Sequence, residues 1–137
     1  MRARASDNLP MASNYRQIRA ERNGPFSPGA IVIATLSNPR EKFWGMILAL
    51  APAGLSMSGA ELASFEDLTV MVRDGEPFTP AVVFFPMHRI ERVELDLPDG
   101  SLPSLSQRFL SKTGLNPVAA LTPQSVDAGD FLPEEPA

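Results

Sequence analysis

The chain has no cysteine, a single histidine and no long apolar run. Without cysteine there can be no disulfide, no thiolate metal site and no cysteine nucleophile. That absence also suits a cytoplasmic location, which is the expectation. The longest apolar stretch runs from Phe43 to Gly54 and is broken by Pro52. A membrane-spanning helix needs about 20 residues, so no membrane association is expected. The opening MRARASDNLPM carries arginines but no apolar segment follows, so no secretory leader is expected, and Met11 is a candidate start beside Met1. One histidine with scattered carboxylates is a poor ligand set, so neither metal nor cofactor is expected.

What is present is enough for one domain: 137 residues, 44% of them hydrophobic. Charge is unevenly spread. Residues 1–27 carry five arginines against Asp7 and Glu21, residues 28–114 carry seven bases against ten acids, and residues 115–137 carry four acids and no base. A nucleic-acid binder usually shows a basic footprint. The central part lacks one overall, so any such footprint must be local or built by oligomerisation. The expected organisation is a flexible basic tail over 1–27, a small barrel domain with helices over 28–121, and an acidic, proline-rich, disordered tail over 122–137. Within the first tail, Tyr15 to Arg22 could form two helical turns, but only Tyr15 and Ile18 share an apolar face.

From Gly29 the pattern becomes that of strands. AIVIATLS (30–37) is apolar and β-branched, Asn38-Pro39-Arg40 is a turn, and KFWGMILALA (42–51) is apolar on both faces with Gly45 inside. Such bent, two-sided strands are what a small closed barrel requires. Leu55, Met57 and Gly59 alternate with Ser56 and Ser58, which predicts a third strand with one wet face. Phe65, Leu68, Met71 and Val72 share a helical face, so a helix is predicted over 65–73, capped by Ser64 and stopped by Gly75. Two further strands, 81–85 and 89–97, meet at the corner Pro86-Met87-His88. Ile90 is out of phase with Val93, Leu95 and Leu97, which a one-residue bulge near Glu91 and Arg92 would repair. Ser104 with Gln107 predicts a capping box for a helix presenting Leu105 and Phe109. Gly114 and Leu115 predict a Schellman stop with Leu115 reaching Leu110, and Asn116-Pro117 a cap for a last helix, 118–121.

This succession over residues 29–97 resembles the Sm-like small β-barrel, close in form to SH3-like barrels, with Hfq-type bacterial RNA chaperones its nearest familiar members. Asn38 stands where an Sm-like domain turns after its first strand. Gly45 in FWGMIL matches the glycine that lets the second strand bend. The corner PMHRI looks like the segment joining strands four and five, and His88 takes the place of the histidine in an RNA-contacting lysine–histidine pair. Met87 stands where the lysine would be, the acidic and asparagine positions expected after the second strand are missing from LALAPAGLSMSG, a weak tail replaces the usual amino-terminal helix, and the helix at 65–73 is extra. The resemblance implies a five-stranded barrel, RNA contact at the corner, and ring assembly through the edges of strands four and five. The chain also resembles uncharacterised bacterial proteins carrying NPREKFWG and FFPMHRI.

Candidate binding residues are therefore His88, Arg89, Asn38, Arg40 and Arg92. The plainer reading of His88 is a hydrogen-bonded corner residue. Arg89 and Arg92 read plainly as partners of Glu91, Glu94 and Asp96 on a wet strand face. If a barrel closes, the Asn38 turn and the His88 corner share one face. Trp44, Phe84 and Phe85 are candidate interface residues, since alternate barrel residues point outward and need cover from the carboxy-terminal helix or another subunit. The leading expectation is a non-enzymatic interaction or scaffold module that forms a homo-oligomer or binds a protein partner. The alternative is an Sm-type RNA-binding regulator. A small hydrolase or isomerase would need His88 and a carboxylate gathered in a pocket.

Overall fold

The computed structural model describes residues 24–123. The expectations for the choice of start, for Tyr15–Arg22 and for disorder in the last residues fall outside that range. Inside it the protein is mainly β, one five-stranded antiparallel sheet with short helices. The strands are β1 (Ile31–Leu36), β2 (Glu41–Ala51), β3 (Gly54–Glu61), β4 (Ala81–Pro86) and β5 (Ile90–Leu95), in the order β4-β3-β2-β1-β5. The helices are α1 (Phe65–Arg73), α2 (Leu105–Thr113) and α3 (Pro117–Leu121).

β2 is eleven residues long and would span roughly 36 Å if straight. It is not straight. A three-residue 3₁₀ corner, Met87–Arg89, is tied to the turns beyond both of its ends. Met87 N–H donates to the Ala53 carbonyl at 2.9 Å, and the Ser37 N–H donates to the Arg89 carbonyl at 2.8 Å. Such a corner is only about 6 Å long, so β2 and the sheet around it must curl back strongly. The middle of the bend is where Gly45 faces Gly59 across β2 and β3. A Cβ on Gly45 would overlap the Ser58 carbonyl oxygen, and one on Gly59 the Trp44 carbonyl oxygen. Two backbones approach here more closely than any side chain permits, the close passage that a glycine inside an apolar strand signals.

The closed barrel is not formed by the strand ladders. β4 pairs only with β3 and β5 only with β1, which leaves both as open ends of the sheet. The corner sends the chain from one end directly to the other, so these two strands do not fold back on each other as a hairpin. The predicted bulge is present: Leu36 pairs with Ile90 and Thr35 with Arg92, so Glu91 is the extra residue. A second irregularity, between Ile47 and Ala49, was not signalled.

Curling gives the sheet two apolar faces. Val32, Ala34, Phe43, Ile47, Leu55 and Met57 form the inner core, with Phe26, Val83 and Phe85 against it. On the outer face Trp44 and Met46 meet Phe65 of α1, Phe109 of α2 and Leu121 of α3. The Trp44 ring lies 5.1 Å edge-on from Phe65 and 5.5 Å from Phe109. Ser58 belongs to this buried face: it is inaccessible and its hydroxyl donates to the Leu121 carbonyl. The wet third strand is thus corrected, because α3 lies over it.

Helix ends follow local chemistry. The Ser104–Gln107 capping box is complete, at 3.0 and 2.8 Å. Asn116 Oδ1 accepts from Val118 and Ala119 N–H, with Pro117 as first helical residue. Gly75 closes α1 with paired bonds, Glu76 N–H to Met71 and Gly75 N–H to Val72. Two details differ. Ser64 makes no side-chain cap, because it ends a 3₁₀ turn (Leu62–Ser64) that runs straight into α1. Leu115 N–H bonds the Thr113 hydroxyl instead of completing a Schellman pair, and both Leu110 and Leu115 stay exposed.

Thr35 Oγ1 is the one buried side-chain polar atom without a partner among the described residues. An unpaired buried hydroxyl costs more than it contributes. Thr35→Val is therefore expected to raise stability by about 1 kcal/mol, read as a higher urea midpoint at unchanged slope.

Candidate functional site

The corner and the β1–β2 turn do lie together, and Arg89 joins them. Its Nε donates to the Ser37 carbonyl at 2.9 Å, and its Nη2 to the Pro39 carbonyl at 3.0 Å and to Glu41 Oε2 at 2.7 Å. The turn it holds is unusual backbone: Asn38 has φ 56° and the Asn38–Pro39 bond is cis. Asparagine tolerates the left-handed region better than most residues. The corner's hydrogen-bonding residue is thus Arg89, and the plainer expectation for His88 is corrected. His88 is exposed and has no hydrogen-bond or ion-pair partner among the described residues. The 3₁₀ turn aims Arg89 back at the sheet and leaves its neighbour outside.

Arg40 pairs with Glu91 at 3.5 Å and Arg92 with Glu94 at 3.0 Å, both largely exposed. Every candidate arginine therefore faces a carboxylate, and Arg92 stands apart on β5. Asp96 is no member of a wet strand face. It accepts from Trp44 Nε1 (3.1 Å), from the Leu105 and Ser106 N–H groups (2.9 and 2.7 Å) and from the Ser106 hydroxyl (2.7 Å). A carboxylate at the first turn of α2 also suits the helix dipole. Sequence reasoning missed this joint, because its partners are distant in sequence.

Arg89→Ala is expected to destabilise by about 1–3 kcal/mol, since it strips three acceptors of a charged donor. Arg89→Lys should recover only part, lacking the planar fork. Hydrogen exchange at residues 37–41 would report it, by faster exchange in both variants.

The three interface candidates separate. Trp44 is completely buried and covered by the chain's own helices, so it is no free surface. Phe85 points to the inner face, edge-on to Phe43 at 5.4 Å. Phe84, on β4, is 54% exposed, and Val82 beside it is 52% exposed. β4 thus shows apolar side chains on both faces at an open sheet end.

Beside it lies a cleft of about 460 Å³, lined by Phe43, Leu68, Phe78, Ala81, Val83 and Phe85 and also by Glu41 and Glu61. That size and lining fit an apolar group rather than an ion. The sequence hinted at it only through the alternation of Ala81, Val83 and Phe85. His88 does not line it. Among the described residues no three His, Asp or Glu side chains gather as a metal site, and no helix is long and apolar enough to cross a membrane. Comparison with protein-family models, with curated proteins and with solved structures finds no match for this chain, so its own geometry carries the functional reading.

Proposed function

We propose that the protein is a non-enzymatic interaction module that assembles through the open edge of β4, with a second copy as the first partner to test. The observation that carries this is an end strand with unpaired backbone groups whose Phe84 and Val82 are both about half exposed. An apolar free edge is a template for another strand unless something covers it. The other open end, β5, offers the complementary strand, with Arg92 and Glu94 along it. Strand order, the bend at Gly45 and the three-residue corner support reading the curled sheet as a small Sm-like or SH3-like barrel, and the Sm resemblance implies ring assembly through these two edges. Light scattering on purified full-length protein tests it. The expected result is a mass that is a multiple of 14.8 kDa for the wild type and the monomer mass for Phe84→Asp. A wild type that stays monomeric at every concentration overturns self-assembly.

A second reading, an Sm-type RNA-binding regulator, is favoured by one observation: His88 is presented at the corner with no partner of its own among the described residues. The carboxylates beside Arg40, Arg89 and Arg92 weigh against it, because a neutralised rim attracts phosphate poorly. Short U- or A-rich RNA titrated at modest salt decides the matter. His88→Ala is the clean variant, since Arg89→Ala would also loosen the turn. Binding that His88→Ala abolishes would replace the first reading.

A further inference from the structure

The chain leaves the described fold beside its most exposed apolar edge. Ser58 bonds the Leu121 carbonyl, and the Thr122 hydroxyl lies 4.0 Å from Met46 Sδ, so the exit sits on the outer face of β3. Ser58 stands directly opposite Val82, and Ser56 opposite Phe84. Directly opposed residues share a face and lie about 5 Å apart. The Leu121 carbonyl, two residues before the last described one, therefore lies about one strand's width from Val82. The segment 124–137 is acidic and proline-rich, with one pair of adjacent large apolar residues, Phe131-Leu132. Phe131 lies eight positions beyond Pro123, a reach of roughly 26 Å when extended, ample for an edge one strand away.

We propose that the carboxy-terminal segment of the same chain docks on β4 as an added strand, seating Phe131 on the face of Val82 and Phe84 and turning Leu132 to the opposite face beside Val83 and Phe85. A strand-like segment can add to an open edge through main-chain bonds while its alternate side chains cover the two faces. Pro133 stops it from continuing, and the acids on either side (Asp130, Glu134, Glu135) keep the cover soluble. Tethering makes the contact intramolecular, so a small apolar pair suffices to populate it. Ordering the tail opposes it, so the cover stays displaceable. The tail then competes with a second copy for the same edge, a consequence that rests on the reading of β4 as the assembly surface.

Hydrogen exchange by mass spectrometry on the full chain, diluted until light scattering shows monomer, tests the docking. The wild type is expected to protect β4 (81–86) and residues 129–133 together, and Phe131→Ser/Leu132→Ser to speed exchange at both about tenfold. Tail amides that exchange without protection, with β4 indifferent to the variant, overturn it. Protection that appears only at concentrations where copies associate overturns it too and gives the edge to the second copy. Light scattering of the same variant separates the two claims. Increased assembly supports competition, whereas coupled protection in a chain that never assembles keeps the docking and removes the assembly reading.

Discussion

Replacing Gly59 by alanine is expected to remove a large share of the chain's stability, with Gly45→Ala close behind. At both positions the added Cβ would overlap a backbone carbonyl oxygen of the neighbouring strand, Trp44 for Gly59 and Ser58 for Gly45. A flexible side chain could swing aside, but a carbonyl held in the sheet cannot move without breaking the ladder between β2 and β3. Overpacking a core commonly costs about 1–3 kcal/mol and more where backbone must shift. Here the shift would fall at the bend that lets the Met87–Arg89 corner reach both ends of β2, so a loss of about 4 kcal/mol or more is expected against a total of about 5–15. Circular dichroism and urea unfolding would measure it. Gly75→Ala is the useful comparison. Gly75 has a positive φ, unlike Gly45 and Gly59, and open space surrounds its Cβ position. It should cost only about 1 kcal/mol, the ordinary penalty for a left-handed helix stop. If Gly59→Ala behaves like Gly75→Ala, the strands are not pressed together as described.

The contrast between these glycines shows which parts of the fold were legible. Gly75 and Gly114 could be placed at helix ends, and Ser104 with Gln107 at a helix start, because each acts on residues three to five positions away. The helix over 65–73 and the bulge at Glu91 were legible for a related reason: a 3.6-residue period and a slipped two-residue period are both local. Gly45 announced a bend or a close neighbour, but nothing nearby in sequence names Gly59 as that neighbour.

The site was less legible, because its bonds join distant segments. Arg89 reaches back about fifty residues to Ser37, Pro39 and Glu41. From sequence, His88 and Arg89 were two polar residues in one corner. Which turns inward depends on the 3₁₀ geometry and on the acceptors that the β1–β2 turn offers. Trp44 and Phe84 were equally ambiguous, since an apolar residue on an outer strand face looks the same whether a helix of its own chain or another molecule covers it. The structure separates them by where α1, α2 and α3 end: over β2 and β3, but not over β4. Ser58 was misread for the same reason, its partner Leu121 being 63 positions away.

Asp96 is the residue whose loss should reveal this long-range joinery best. One carboxylate serves the first turn of α2, the Ser106 hydroxyl and the indole of Trp44 at once. Removing a helix-capping acceptor costs about 0.5–2 kcal/mol. Leaving a buried indole N–H without an acceptor adds about 1–3 kcal/mol. Asp96→Ala is therefore expected to destabilise by about 2–5 kcal/mol, through two mechanisms acting at one place. Asp96→Asn should recover less than its shape suggests. Oδ2 accepts three of the four bonds, and an amide nitrogen there would turn donor against donor, while a flipped amide would keep those bonds and lose the one at Oδ1. Trp44 is the chain's single tryptophan, so its fluorescence reports the joint directly. In Asp96→Ala the emission should shift to the red under native conditions, before unfolding, as α2 loosens and water reaches the indole. Thr35→Val and Asp96→Ala together should add their separate effects, since neither hydrogen bonds to the other's partners. An Asp96→Ala variant that unfolds within about 1 kcal/mol of the wild type, with unchanged emission, would mean that apolar packing of Phe109 and Leu121 alone holds the helices on the sheet.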